Sequence, residues 1–334
     1  MTSRGEVSIA VLHGSIRATR SGPSYSHNSH HVLSLFHDFL DSSLESGHQV
    51  DLLVSNAYPT TGNIPAYIKD NERARNRITT RSMMLNPKTM SQGSPLRSLL
   101  RMSMRYQVNI LFGPIYEVAG PRNYVTVVHV RPDGVLDKYR KMMLTPREEA
   151  LGLHRGRTPK VFTIHDSSGD PIAKIGVFVD EDLFSPMIFQ YFNLEKVDVA
   201  IGFMLPYESR YLPPPLESGG LVYMRQCLLD KVLTTRAVDI GAPLILVGGV
   251  VNIFATYRRL ALKHWGPTTI IDPEDPENDV CLSIETKKSV SRPFLTPEEA
   301  DTFKRVLVST DKDRSITPCD YEVVKTLKKF CSRK

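Results

Sequence analysis

Short apolar runs rich in Val, Ile and Leu recur along this chain, and they constrain its fold more than any other feature. They are VSIAVLHG (Val7–Gly14), VDLLVS (Val50–Ser55), VNILFGPIY (Val108–Tyr116) and YVTVVHV (Tyr124–Val130). KIGVFVD (Lys174–Asp180), VDVAIGF (Val197–Phe203), PLILVGG (Pro243–Gly249), TTIIDP (Thr268–Pro273) and VCLSIE (Val280–Glu285) follow. Runs of this length and composition read as buried strands. Between several of them the apolar period changes to that of a helix. Val32, Leu35, Phe36 and Leu40 mark one helical face, closed by Gly47. SPLRSLLRMSMRY (Ser94–Tyr106) is a second helix, and Leu221–Gly241 a third, with Gly241 as its C-cap. Thr296, opening TPEE, carries a capping-box signature, and Thr317-Pro318 precedes a further helical pattern, so two helices are expected to close the chain. The fold class is therefore α/β.

Composition narrows the function. The 334 residues are 41% hydrophobic and 23% charged, ordinary for a soluble globular protein. The net charge of +6 is spread out rather than blocked. Its densest patch, NERARNRITTR (Asn71–Arg81), has no interleaved aromatics and reads as a solvated helix face, so no nucleic-acid partner is expected. Cys227, Cys281, Cys319 and Cys331 lack metal-ligand spacing. SHNSHH (Ser26–His31) lies before a helix without the spacing of a known metal motif, so no metal and no organic cofactor are implied. The longest apolar run, Ala242–Ala255, is too short to span a bilayer, and the first residues lack a signal peptide's apolar core. A cytosolic protein without a membrane partner is expected. YLPPPLESGG (Tyr211–Gly220) reads as a long surface loop.

The most informative stretch is KIGVFVDEDLFSP (Lys174–Pro186), where an apolar strand ends abruptly in Asp180, Glu181 and Asp182. Acids at a strand's carboxyl edge stand where chemistry is usually placed in α/β folds. Other segments join it in order: IAVLHGSI near the amino end, DGVLDKYRK (Asp133–Lys141), TPREE (Thr145–Glu149), and RAVDIGAPLI followed by TTIIDP. Taken together, their order and spacing resemble the nitrilase, or carbon–nitrogen hydrolase, superfamily over about residues 7 to 275, and most of all the catalytic domain of apolipoprotein N-acyltransferases.

The resemblance implies a four-layer αββα sandwich, with a nitrilase-like domain over residues 1–290 and a C-terminal helical extension over 291–334 packed on it. It also implies a homodimer formed through helices that flank the site. A glutamate base, a lysine and a cysteine nucleophile would converge at strand ends, with the thiolate attacking an amide, nitrile or ester carbon. Carried over position by position, the lysine falls on Lys141 and a second glutamate on Glu149. The cysteine falls on Asp180. The base falls on Ala57, or on Asn56 with a one-residue shift. The Glu181 N–H would occupy the oxyanion position, while Asp182 would orient the turn. Glu117 is the nearby carboxylate able to stand in for the missing base.

Asp180 cannot replace a thiolate in acyl transfer, because attack by a carboxylate gives an anhydride. One expectation is an acid/base site built on Asp180 and Lys141, acting on a small organic substrate by isomerisation, cyclisation or hydration. It requires a like charge close to Asp180, such as Glu149, Glu181 or Asp182, to keep a proton on it. The alternative is a catalytically silent relative serving as a binding or scaffold subunit, with Asp180 and Lys141 as a closed ion pair. An ordinary amidase or nitrilase would need a cysteine beside Lys141.

Overall fold

The computed structural model describes residues 6–19, 22–68, 70–85, 94–205, 231–254, 262–266, 269–271 and 301–309. The amino-terminal half runs β1 (Glu6–His13), β2 (Ser15–Thr19), β3 (Gly22–Pro23), α1 (Tyr25–Glu45), β4 (Leu52–Val54), α2 (Ile64–Tyr67), α3 (Asn71–Arg81) and α4 (Pro95–Tyr106). Then come β5 (Asn109–Ala119), β6 (Arg122–Val130), β7 (Leu136–Arg140), α5 (Pro146–Ala150), β8 (Val161–His165) and β9 (Pro171–Val179). A 3-10 turn (Asp180–Phe184) leads to α6 (Pro186–Glu195) and β10 (Val199–Phe203). Residues 231–240 are helical, and β11 (Leu244–Val247), β12 (Gly249–Phe254), β13 (Leu262–Gly266), β14 (Thr269–Ile271) and β15 (Thr302–Ser309) complete the order.

Two sheets carry the architecture. One has strand order β15-β1-β4-β5-β6-β7, the other β14-β11-β10-β9-β8; β13-β12-β2-β3 form a smaller third. The core between the large sheets interleaves Ile9, Val11, Val54 and Leu111 of the first with Ile175, Val177, Val179 and Ile201 of the second. Outside the first sheet, Val32, Phe36 and Leu40 of α1 pack with Leu96 and Leu99 of α4 against Leu53, Ile110 and Phe112. On the far side of the second, Ile188, Phe189 and Phe192 of α6 and Leu233, Ala237 and Ile240 pack against Phe178, Ala200 and Leu244. Helices thus cover both outer faces, giving the four-layer αββα sandwich. Strands covered on both sides must be apolar throughout, which is why the runs read as uninterrupted rather than alternating.

Gly176 and Gly202 show how tightly the second sheet packs beneath its helical layer. A Cβ on Gly176 would lie 2.8 Å from the Phe192 ring, and one on Gly202 would overlap the Phe178 ring. Parallel pairing of β9 with β10, Val177 opposite Ile201 and Val179 opposite Phe203, sets their carboxyl ends side by side. That edge positions the candidate site.

Two expectations need correction. SHNSHH does not precede α1; the whole of it lies within its first turns, and His31 Nε2 lies 3.0 Å from Asp301 Oδ2. Past TPEE, residues 302–309 form a strand paired antiparallel along the whole of β1, not a continued helix. Val306 and Val308 alternate inward, and β-branched residues spaced by two fill a sheet edge better than a helix face. Thr296, Thr317, the Tyr211–Gly220 loop, VCLSIE and all four cysteines lie outside the described residues. Among the described residues no helix is long and apolar enough to cross a membrane.

Candidate active site

The site is organised around a turn that the strand cannot make by itself. After Val179, Asp180 enters the left-handed region (φ +44°) and the chain tightens into the 3-10 turn. For a residue with a Cβ this conformation costs roughly 1–2 kcal/mol and needs support from its surroundings. Asp182 supplies it. Its Oδ2 accepts from the Val179 N–H at 3.0 Å and the Tyr139 hydroxyl at 2.6 Å, and its Oδ1 from the N–H groups of Met142 (3.0 Å) and Met143 (2.7 Å). The Val179 bond closes the turn on its own strand, and the other three tie it to β7 and the segment leaving it. Burial still pushes the Asp182 carboxyl up, to about 6, against those donors. From the helical layer, Arg236 Nε donates to the Leu183 carbonyl at 3.0 Å, while its Nη1 pairs with Asp239 at 2.7 Å.

Clamping that segment brings Lys141 to Asp180. Lys141 is 1% exposed, and its Nζ lies 2.8 and 3.0 Å from the two oxygens of Glu148 and 3.2 Å from Asp180 Oδ2. One ammonium thus lies within hydrogen-bonding reach of two carboxylates at once. Glu148 is held in turn by the cap of α5, where its Oε2 accepts from the Thr145 N–H at 2.7 Å and its N–H donates to Thr145 Oγ1 at 3.1 Å. The fourth wall is Tyr58, wholly buried and itself left-handed (φ +53°), whose hydroxyl donates to Asp180 Oδ2 at 2.5 Å. Asp180 Oδ1, by contrast, is buried and has no hydrogen-bond partner among the described residues.

The electrostatics follow from one lysine facing three acids. Burial works against the Lys141 charge, but Glu148 and Asp180 overcome it and hold the ammonium above the ordinary lysine range. Burial raises Asp180, and Glu148 raises it further; Lys141 and the Tyr58 hydroxyl oppose them without prevailing. The shared ammonium explains why, since Lys141 lies closer to Glu148 than to Asp180. Burial, followed by the charge of Asp180, also pushes the Tyr58 phenol well above its usual value.

Of the residues expected here, Asp180, Lys141 and Asp182 converge. Glu149 does not. Its side chain is exposed and paired with Arg155, whereas the preceding residue, Glu148, turns inward to Lys141. The capping box decides between them, since only the third residue after Thr145 can reach back to its N–H. Glu117 bonds to Thr126 (2.8 Å), Lys138 (2.7 Å) and Arg140 (2.8 and 2.7 Å), not to Lys141 or Asp180. Although burial favours its neutral form, these donors hold Glu117 below the usual carboxylate range, which leaves it a fixed anion rather than a base. Asn56 and Ala57 are buried beside Tyr58; the Asn56 amide donates to the Ala57 carbonyl at 3.4 Å, and the Ala57 N–H to the Gly248 carbonyl at 2.9 Å. Glu181 is 4% exposed, a buried group rather than a solvent-facing one. Sequence reasoning missed Tyr58, Tyr139 and Glu148. T-P-R-E at Thr145–Glu148 was a legible signal for the last, whereas the roles of the two tyrosines depend on contacts distant in sequence.

An αββα sandwich with a buried lysine–carboxylate cluster at the strand ends defines a protein of the nitrilase type. The carbon-nitrogen hydrolase family model matches residues 64–274, more than half of the chain, and the chain belongs to that family. Solved structures share the fold. Saccharomyces cerevisiae Nit3, a member of branch 10 of the nitrilase superfamily, is 14% identical with a TM-score of 0.61, covering 99% of this chain and 96% of its own. A carbon-nitrogen hydrolase from Helicobacter pylori G27 is 13% identical with a TM-score of 0.60, covering 100% and 96%. A mutant of the amidase from Nesterenkonia sp. AN1, showing covalent addition of the acetamide moiety of fluoroacetamide at its active-site cysteine, is 15% identical with a TM-score of 0.56, covering 97% and 95%. No curated protein matches the chain in sequence.

Proposed function

We propose that this member of the carbon-nitrogen hydrolase family performs acid/base chemistry on a small organic substrate, with Oδ1 of Asp180 as the proton-carrying atom. One observation carries the reading: Oδ2 of Asp180 accepts from both Tyr58 and Lys141, while Oδ1 is buried without a partner. A proton on this carboxyl therefore belongs on Oδ1, because Oδ2 already faces two donors. Ionised, Oδ1 withdraws a proton from substrate; protonated, it returns one. The crowding acid is Glu148, not Glu149, and it supplies the like charge that such a site requires. Isomerisation, cyclisation and hydration suit a group of this kind. Acyl transfer through residue 180 does not, since an aspartate stands where the resembled families carry sulfur, and the likeness to N-acyltransferase domains adds nothing to the reading.

Asp180→Asn keeps the shape of the side chain and removes its titration. Screening a panel of small organic acids, amides and amines for chemical change by NMR should give turnover with the wild-type chain and none with Asp180→Asn. Unaltered turnover in that variant would end the proposal. A second reading, a catalytically silent binding subunit, is favoured by the closure of the buried Lys141 ammonium on Glu148 and Asp180 within the protein. Turnover lost in Lys141→Met but retained in surface variants would exclude it. A homodimer through α6 and the neighbouring helix is proposed as well, supported by the exposed apolar side chains of Met187 and Val238 on those helices. Light scattering that returns a monomer mass would refute it.

A further inference from the structure

The chemistry of the cluster narrows what can bind beside Asp180. We propose that Oδ1 of Asp180 receives the cationic nitrogen of a small ligand, an ammonium or amidinium group, and that this contact selects the substrate. The inference rests on the acid/base reading of the same site and names the class of molecule it takes; the proton that ionised Oδ1 withdraws is then an N–H proton of that cationic group.

Three observations converge. First, Asp180 is 8% exposed and its Oδ1 has no partner among the described residues, so the atom is an acceptor awaiting a donor. Second, the donors near Asp180 already face acids. Lys141 lies against Glu148 and Asp180, Tyr58 gives its hydroxyl to Asp180, and Tyr139 gives its own to Asp182. A carboxylate or oxyanion entering here would compete with Glu148 and Asp180 for Lys141. Third, the groups facing Asp180 are Lys141, Glu148 and Tyr58, with Tyr116 behind Tyr58. With Asp180 and Glu148 both ionised, the cluster they form with Lys141 has one more negative than positive charge. A ligand cation corrects that imbalance; an anion deepens it. Alkylammonium and amidinium groups meet both requirements, since each carries N–H donors and a positive charge.

A proton linkage follows. Burial and Glu148 favour the protonated form of Asp180, whereas a cation at Oδ1 requires the ionised form. Cation binding must then expel a proton when it occurs below the titration of Asp180. Affinity should rise about tenfold per pH unit there and level off above it.

The test uses benzamidinium, benzamide and benzoate, three probes of one shape and different charge, by calorimetry with the full chain. Benzamidinium should bind at least about tenfold more tightly than benzamide, a difference of one close charge pair. Benzoate should not bind, and the heat should depend on buffer ionisation as proton release requires. Asp180→Asn should erase the benzamidinium preference. Should that variant fail to fold by circular dichroism, the wild-type ranking and its pH dependence decide the matter. Equal or tighter binding of benzamide or benzoate, no binding of benzamidinium at millimolar concentration, or a preference that survives Asp180→Asn overturns the inference. The two proposals fail separately. Loss of turnover in Asp180→Asn without charge preference leaves the acid/base function standing alone; charge-selective binding without turnover in any screen leaves only the cation site.

Discussion

Lys141 is the residue on which the site's energetics turn. Removing a buried charge that pairs with two carboxylates leaves both uncompensated, and truncating one member of such a pair costs about 3–5 kcal/mol. Lys141→Met should therefore destabilise the protein by about that much in urea unfolding, and combining it with Glu148→Gln should recover part of the loss. Tyr58→Phe tests the opposite wall. It deletes the bond to Asp180 Oδ2 and should cost about 1–3 kcal/mol. The hydroxyl lowers the Asp180 titration, so its loss should raise it further, an effect visible in the carboxyl carbon resonance of Asp180. A downward shift would mean that the phenol is not the donor. Asp180 and Lys141 were legible as a pair because each sits within a recognisable motif. Tyr58 was not, because its hydroxyl matters only once β4 and β9 face each other across the core.

At the scale of elements, the strand β9 links packing to chemistry. Phe178 points into the helical layer, Val179 into the core between sheets, and Asp180 begins the turn. Gly202 on the neighbouring strand leaves room for the Phe178 ring, so Gly202→Ala must move either the ring or the strand. Overpacking of this kind costs about 1–3 kcal/mol, and the thermal midpoint should fall accordingly. The displacement lies two residues from Asp180, so any turnover should fall by more than lost stability accounts for. An unchanged midpoint would show that the ring has space to spare. The strands themselves could be read from sequence because burial on both faces makes them continuously apolar. The segment that forms β15 was misread, since T-P-E-E ahead of it is a strong local helix signal. Pairing with the full length of β1 outweighs that signal from Thr302 onward.

Across the whole molecule, two buried groups pull stability in opposite directions with pH. His129 is buried, and its Nε2 faces Asn109 Oδ1 at 3.2 Å. Since the Asn109 amide nitrogen donates to the Asp51 and His165 carbonyls, that oxygen accepts and His129 Nε2 carries the proton. Burial, aided by Arg131 and His165, lowers the imidazole from 6.5 to about 3. The unfolded chain then binds the proton more readily than the folded one, so stability is full above 6.5 and is lost as pH falls from there. Asp182 has the reverse sign. Raised from 3.8 to about 6, it favours the folded state at low pH and loses that contribution as pH rises across the window. Between those limits the two nearly cancel. His129→Gln removes the first and exposes the second. Relative to wild type, the variant should gain roughly 1.4 kcal/mol for each pH unit below the histidine's ordinary range, measured by urea unfolding from neutral pH downward. Parallel curves for the two proteins would contradict the assignment of a neutral His129.

Sequence alone determined the layers and the residues standing at the strand ends, because side-chain burial and turn formation are written in local pattern. It placed an acid at position 180 and a lysine at 141, and the family resemblance of the motifs around them made their meeting foreseeable. Only the tertiary structure decided that Glu148 rather than Glu149 shares the ammonium, that Tyr58 closes the far side, and that Glu117 is held as a fixed anion. Each of those outcomes depends on which donor reaches which oxygen, and such distances exist only once both sheets have packed.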